Sequence, residues 1–328
     1  MVIKKTHSPG IRHKVSAIPL TLTMLFPWIV SLFMQEPASG SIASFGAYML
    51  VISFSVLPVK NPLQQVLIAA GIMIFFATLG FSAPGGSIYF FLFAILAALA
   101  QGLAELRGGN LRLPVSLAAL VFFLAHGQSS AETLSQYIFS FGLGCLWAIP
   151  FILIFIPKET LSPARAPLYT MESPTQRRFL LGITFTALLG SIAVSLSTVA
   201  HACWNSRQQW IPAAALRVVK PGWEETRYRI QTRSMGTMLG AIVGSIILVC
   251  YPYPLFHIAI VGGMFLLMLQ FGAKNYFRWS FCLTTITLAF NPAVGSDIFS
   301  LAQERVLFTI EGISIAFIMM KIFSYKRS

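Results

Sequence analysis

Glu311 lies about ten residues into the apolar run Leu301 to Met320, which at about 1.5 Å per residue puts a carboxylate near the middle of a bilayer. Ionisable groups at that depth are costly, and they mark ion paths, proton relays or buried pairs. Arg305 precedes it on the same run, and Arg207 lies at a similar depth in the run Ala202 to Val219. Around Arg207 the chain reads Trp204, Asn205, Ser206, Arg207, Gln208, Gln209, Trp210, a polar cluster between two indoles, with Pro212 where it interrupts a helix. A guanidinium cannot shed its charge, so it must face a carboxylate or water, and a planar organic acid could satisfy it. Arg207 and Arg305, with Gln208, are expected to hold such a carboxylate while Trp204, Trp210 and Phe308 contact its apolar body. On the last run Glu304, Phe308 and Glu311 share one stripe, and Arg305, Thr309 and Gly312 share the next. An ionised acid is penalised there, which makes Glu311, with Glu304, the candidate for proton coupling. The competing reading is a fixed ion pair of Arg207 or Arg305 with Glu304 or Glu311 that only ties helices together.

These charges stand out because the chain carries few. With 56% hydrophobic and 10% charged residues and a mean hydropathy of +0.76, its 328 residues hold more apolar surface than a water-soluble domain could hide. An all-α polytopic membrane protein is expected, because helices satisfy their own backbone in lipid. Twelve apolar segments are readable: 15–33, 42–59, 63–81, 87–106, 111–125 and 134–156, then 179–198, 202–219, 234–251, 256–271, 276–290 and 301–323. Segments 111–125 and 276–290 are short for a span of about 20 residues, which predicts tilted, broken or shielded helices. Starting inside, all of the 23 lysines and arginines except Arg207 and Arg305 fall at inner ends or loops, so both termini are expected in the cytoplasm. The net charge of +13 is thereby assigned to loops facing the lipid bilayer, not to nucleic acid. There is no phosphate-binding glycine motif, no metal-ligand spacing and no nucleophile–base pair, so neither a cofactor, a metal nor an enzyme is expected.

The polar stretch 157–178, with Pro157, Pro163, Pro167 and Pro174, divides the chain into a first six-helix bundle (1–156) and a second (179–328). An even number of spans per half makes any repeat parallel, and Val59-Lys60-Asn61-Pro62 is echoed by Val219-Lys220-Pro221. Two parallel six-helix repeats, about 12 transmembrane helices in all, are the expected architecture. Gly236, Gly240 and Gly244 recur every four residues and predict a face for close helix contact. Gln101 and Glu105 are read as interfacial anchors, and Glu225 to Arg229 as a pair on a cytoplasmic helical extension.

The order of polar aromatic helix, charged connector and Arg233-Ser234-Met235-Gly236-Thr237-Met238-Leu239-Gly240, closed by a helix with Arg305 and Gly312, resembles the fusaric acid resistance protein-like group of the aromatic acid exporter superfamily. The resemblance is best over residues 177–320 and faint in the first half. It implies a multi-pass exporter of aromatic or amphipathic carboxylates in the bacterial inner membrane, often working with a periplasmic adaptor protein. Larger members carry cytoplasmic domains that this chain lacks, which leaves regulation and a homo-oligomeric state open. Plant malate channels of distantly similar architecture conduct anions passively, so a passive anion channel is the first alternative and a non-transporting membrane scaffold the second. The exporter reading expects Glu311→Gln and Arg305→Ala to abolish efflux without changing membrane abundance.

Overall fold

A computed structural model describes residues 10–126, 133–159, 173–200, 208–272, 275–290 and 298–323. Within them the first half forms α1 (Gly10–Phe33), α2 (Pro37–Ile52), α3 (Pro62–Ser82), α4 (Ile88–Arg107), α5 (Arg112–His126) and α6 (Leu134–Phe155). The second forms α7 (Ser173–Ala200), α8 (Trp210–Val218), α9 (Trp223–Cys250), α10 (Pro254–Phe271), α11 (Tyr276–Ala289) and α12 (Ile298–Phe323). Two dipeptides, β1 (Leu57–Pro58) and β2 (Lys158–Glu159), pair in parallel and tie the connector after α2 to the one after α6.

Local chemistry sets many of the ends. Ser87 caps α4 by accepting from Phe90 N, Thr133 and Gln136 form a capping box on α6, and Asn275 caps α11. Pro62 opens α3 at a position where its missing N–H costs nothing. Inside α1, Pro27 has no N–H to give to the carbonyl of Thr23, and the Trp147 indole donates to that carbonyl instead at 3.0 Å. Pro212 lies in the first turn of α8 and does not interrupt it, so the helix begins at Trp210. Likewise α7 starts at Ser173-Pro174 and takes in residues that composition assigned to the linker.

Seven helices, α1, α3, α4, α6, α7, α9 and α12, are long and apolar enough to cross a membrane, and α2, α5 and α10 are shorter apolar helices. The chain is therefore an all-α, multi-pass membrane protein. Its outer faces carry aliphatic and aromatic side chains, such as Leu22, Phe75, Leu143, Ile242 and Phe317, that would be a liability in water and suit lipid. The short segments are shielded: α5 and α11 are buried along most of their length, and every residue of α8 after Trp210 is buried.

Within the first half α1 packs on α2 and α6, α2 on α6, α3 on α5 and α6, and α4 on α5. The same pairings hold six helices later: α7 with α8 and α12, α8 with α12, α9 with α11 and α12, and α10 with α11. The halves meet where α4 touches α7, where α5 touches α8 and where α1 touches α10. The seam along α1 is apolar, with Trp28 stacked at 4.9 Å on Phe290 at the end of α11 and Leu25 seated against Gly262 of α10.

Glycines set the closest approaches. A Cβ on Gly144 of α6 would collide with the Ala43 carbonyl of α2, one on Gly80 of α3 with the Phe122 carbonyl of α5, and one on Gly312 of α12 with the Ile211 carbonyl of α8. Because the obstacle is backbone in each case, alanine there should cost about 1–3 kcal/mol through overpacking. Gly312→Ala is accordingly expected to lower the unfolding temperature in detergent, whereas Gly71→Ala, which meets nothing within 4 Å, should not. Equal unfolding temperatures for the two variants would contradict this account of helix contact.

Candidate functional site: a buried guanidinium on an indole face

The crossing of α12 on α8 positions the site. Gly312 brings the two backbones together, and seven residues earlier, two turns up α12, Arg305 projects over the start of α8. Its guanidinium carbon lies 3.5 Å from the centroid of the Trp210 ring. Arg305 is only 3% exposed, and none of Nε, Nη1 and Nη2 has a hydrogen-bond partner among the described residues. A desolvated cation–π contact contributes about 2 kcal/mol, well short of the several kcal/mol that burying an ion costs. The site thus holds a fixed positive charge with unused donors beside an aromatic face, an arrangement suited to a planar carboxylate.

Phe308, on the same helix, and Gln208, immediately before α8, are both buried. Arg207 and Trp204 lie outside the described residues. Glu304 is half-buried, while Glu311 is exposed on the outer side of α12. Six residues along a helix turn through about 600°, so Glu311 points well away from Arg305. Arg305 and Glu311 therefore leave α12 on different faces. Gly236 and Gly240 of α9 abut the Phe277 and Phe281 carbonyls of α11, and Gly244 abuts Thr285 and Leu288.

Several residues assigned to cytoplasmic loops or interfacial anchoring are instead buried. Arg233 is 2% exposed and Arg217 is 9% exposed. The Arg233 guanidinium donates to the Tyr276 hydroxyl at 3.2 Å, and that hydroxyl donates to the Arg217 carbonyl at 3.4 Å. The Nε atoms of both arginines lack partners among the described residues. The Tyr48 hydroxyl of α2 is close enough to feel the charges of Arg217, Arg233 and Arg305 together. The positive-inside count speaks to the side of the membrane and not to exposure, and Arg233 lies on the glycine stripe of α9, three residues before Gly236. That spacing was the available signal.

Glu105 corrects the anchoring assignment. It is 1% exposed, pairs with Arg112 at 2.7 Å and with Lys220 of the α8–α9 connector, and so joins the halves. One turn earlier the Gln101 amide donates to the Leu216 carbonyl at 2.8 Å across the same seam. Burial lowers the Lys220 ammonium to about 8, against the opposing pull of Glu105 and with the added repulsion of Arg229.

Comparison with known proteins agrees with this class. Residues 178–319 match the family model described as fusaric acid resistance protein-like, so the resemblance read from the motifs holds over the second half of the chain. The chain is also similar to an uncharacterized protein of Haemophilus influenzae, 28% identical over 140 residues that cover 40% of this chain and 20% of that protein. The chain spans about a fifth of the length of that curated relative. No solved structure matches.

Proposed function

We propose that the protein is a secondary exporter of aromatic or amphipathic carboxylates, proton-coupled and working in the bacterial inner membrane with both termini cytoplasmic. The observation that carries this reading is Arg305, buried on Trp210 with its hydrogen-bonding capacity unmet among the described residues. The family match over 178–319 supports transport as the activity. In this reading the substrate carboxylate binds Arg305, its ring extends the Trp210 stack beside Phe308 and Gln208, and Arg207 and Trp204 complete the wall. The helices form two parallel six-helix repeats, a reading supported by the recurrence of the same helix pairings in each half. A periplasmic adaptor and a second copy of the chain are the partners this class of exporter calls for.

Glu311 is the proposed proton carrier, with Glu304 beside the site. Since Glu311 lies on the exposed face of α12, coupling and binding are separable. The test is uptake of radiolabelled benzoate into proteoliposomes under an imposed pH gradient. Arg305→Gln should lose uptake in all conditions, and Glu311→Gln should retain benzoate binding while losing the response to the gradient. A gradient response unchanged in Glu311→Gln would remove the proton role. The second reading, a passive anion channel, is favoured by the burial of two further arginines, Arg217 and Arg233, the latter within electrostatic reach of Arg305, and it predicts benzoate currents indifferent to pH gradients.

A further inference from the structure

Beyond Arg305, the molecule buries two more guanidinium groups whose presence the exporter reading does not use. Arg217 lies in the last turn of α8 and Arg233 on α9, and the Tyr276 hydroxyl of α11 bonds the Arg233 guanidinium and the Arg217 backbone carbonyl. Each is at least nine-tenths buried, and each keeps an Nε without a partner among the described residues. The Tyr276 hydroxyl is already committed, accepting from Arg233 and donating to the Arg217 carbonyl, so it fixes the Arg233 guanidinium against the end of α8 without neutralising either arginine. The wall beside them is polar: Ser280 donates to the Arg233 carbonyl at 3.3 Å, and Thr237 lies 3.3 Å from the Ser280 hydroxyl. One turn toward the cytoplasmic end, Arg229 covers the Tyr276 ring at 4.8 Å and pairs with the partly exposed Glu225.

Two like charges held close in a low-dielectric interior repel each other, and the arrangement is relieved when an anion lies between them. Continued burial of both arginines therefore points to a ligand of opposite charge. Their charges act on each other, and that of Arg233 also acts on Arg305, so the three buried arginines share one positively charged region. We propose that Arg217, Arg233 and Tyr276 form a second, inner carboxylate site, which receives the organic acid before it passes to Arg305. Arg217 and Arg233 contact the carboxylate, and Tyr276 is a positioning residue. This rests on the exporter reading of the Arg305 site and adds to it a separate station.

The test is equilibrium binding of radiolabelled benzoate to the full chain in lipid nanodiscs. Wild type should bind two equivalents. Arg233→Gln and Arg305→Gln should each bind one, and Tyr276→Phe should bind two with the inner one weakened about tenfold, the loss of one modest hydrogen bond. Gly71→Ala, which belongs to neither site and meets nothing within 4 Å, should retain two, and the one equivalent left in each glutamine variant shows that the variant folds. If wild type binds one equivalent that disappears in Arg305→Gln and survives in Arg233→Gln, the inner site is wrong and the outer one stands. If the single equivalent disappears in Arg233→Gln and survives in Arg305→Gln, the outer site is wrong instead. Absence of binding by wild type contradicts both. Nanodiscs of purely zwitterionic lipid should give the same two equivalents as nanodiscs with anionic lipid. An inner equivalent seen only without anionic lipid would assign the arginines to a lipid headgroup and overturn the proposal.

Discussion

Arg305→Ala is expected to abolish efflux and, at the same time, to leave the fold as stable as before or more so. The two halves of that outcome have one cause. A buried guanidinium without hydrogen-bond partners among the described residues opposes folding, so its removal relieves a desolvation cost that Trp210 only partly offsets. For the substrate the change is severe, because charge-assisted hydrogen bonds contribute about 1.5–3 kcal/mol each, and the loss of 2–3 kcal/mol weakens binding by about 30- to 150-fold. A residue kept to tie helices would behave in the opposite way, its loss lowering stability and sparing transport in proportion to the folded protein that remains. Thermal unfolding in detergent together with benzoate efflux from loaded cells distinguishes the two. Trp210→Phe should fall between wild type and Arg305→Ala in efflux, since a phenyl face binds cations less strongly than an indole.

Glu105→Ala is expected to be the most destabilising single substitution at the seam between the halves, at about 3–5 kcal/mol, because it strands buried positive charge. Arg112 keeps some access to water, whereas the Lys220 side chain is 7% exposed and has nowhere to turn. Joint replacement, Glu105→Leu with Lys220→Met, removes the charges as a pair and should recover most of that loss. The measurement is a double-mutant cycle on unfolding temperature. Additive losses from the two single variants would show that the ion pair does not join α4 to the α8–α9 connector. Gln101→Met should cost less, about 1–3 kcal/mol, since the Leu216 carbonyl it leaves unpaired is neutral.

The helices were largely legible because each must bury its own backbone polarity, and an apolar run of sufficient length has few other ways to do so. Hydropathy therefore found α3, α4, α6 and α12 close to their observed limits, and the four-residue glycine repeat pointed to the α9 face that meets α11. Hydropathy marked α5 and α11 as short and left open whether they are tilted, broken or shielded; both are buried along most of their length, and so is α8, which read as an ordinary span. The burial of charges was hidden for the same reason. Loop counting set Arg217, Arg233 and Lys220 at inner ends and Glu105 read as an interfacial anchor, and only tertiary contact with Tyr276 and across the α4 seam shows them buried. Glu311 is the converse case: depth along the helix was readable, but facing depends on where α7, α8 and α9 pack around α12. Arg305 could be singled out from sequence because an arginine within an apolar helix is conspicuous, while its partner on α8 became visible only with the Gly312 crossing.

The central claim is that an organic carboxylate binds at Arg305 against Trp210, and the most direct measurement is a density map of the protein in nanodiscs with 4-iodobenzoate. The account predicts a carboxylate at the Arg305 guanidinium, its ring beside Trp210 and Phe308, and the loss of that density in Arg305→Gln. Iodine density that persists in Arg305→Gln, or a map at saturating ligand with Arg305 paired to a protein carboxylate and no ligand beside it, would contradict it.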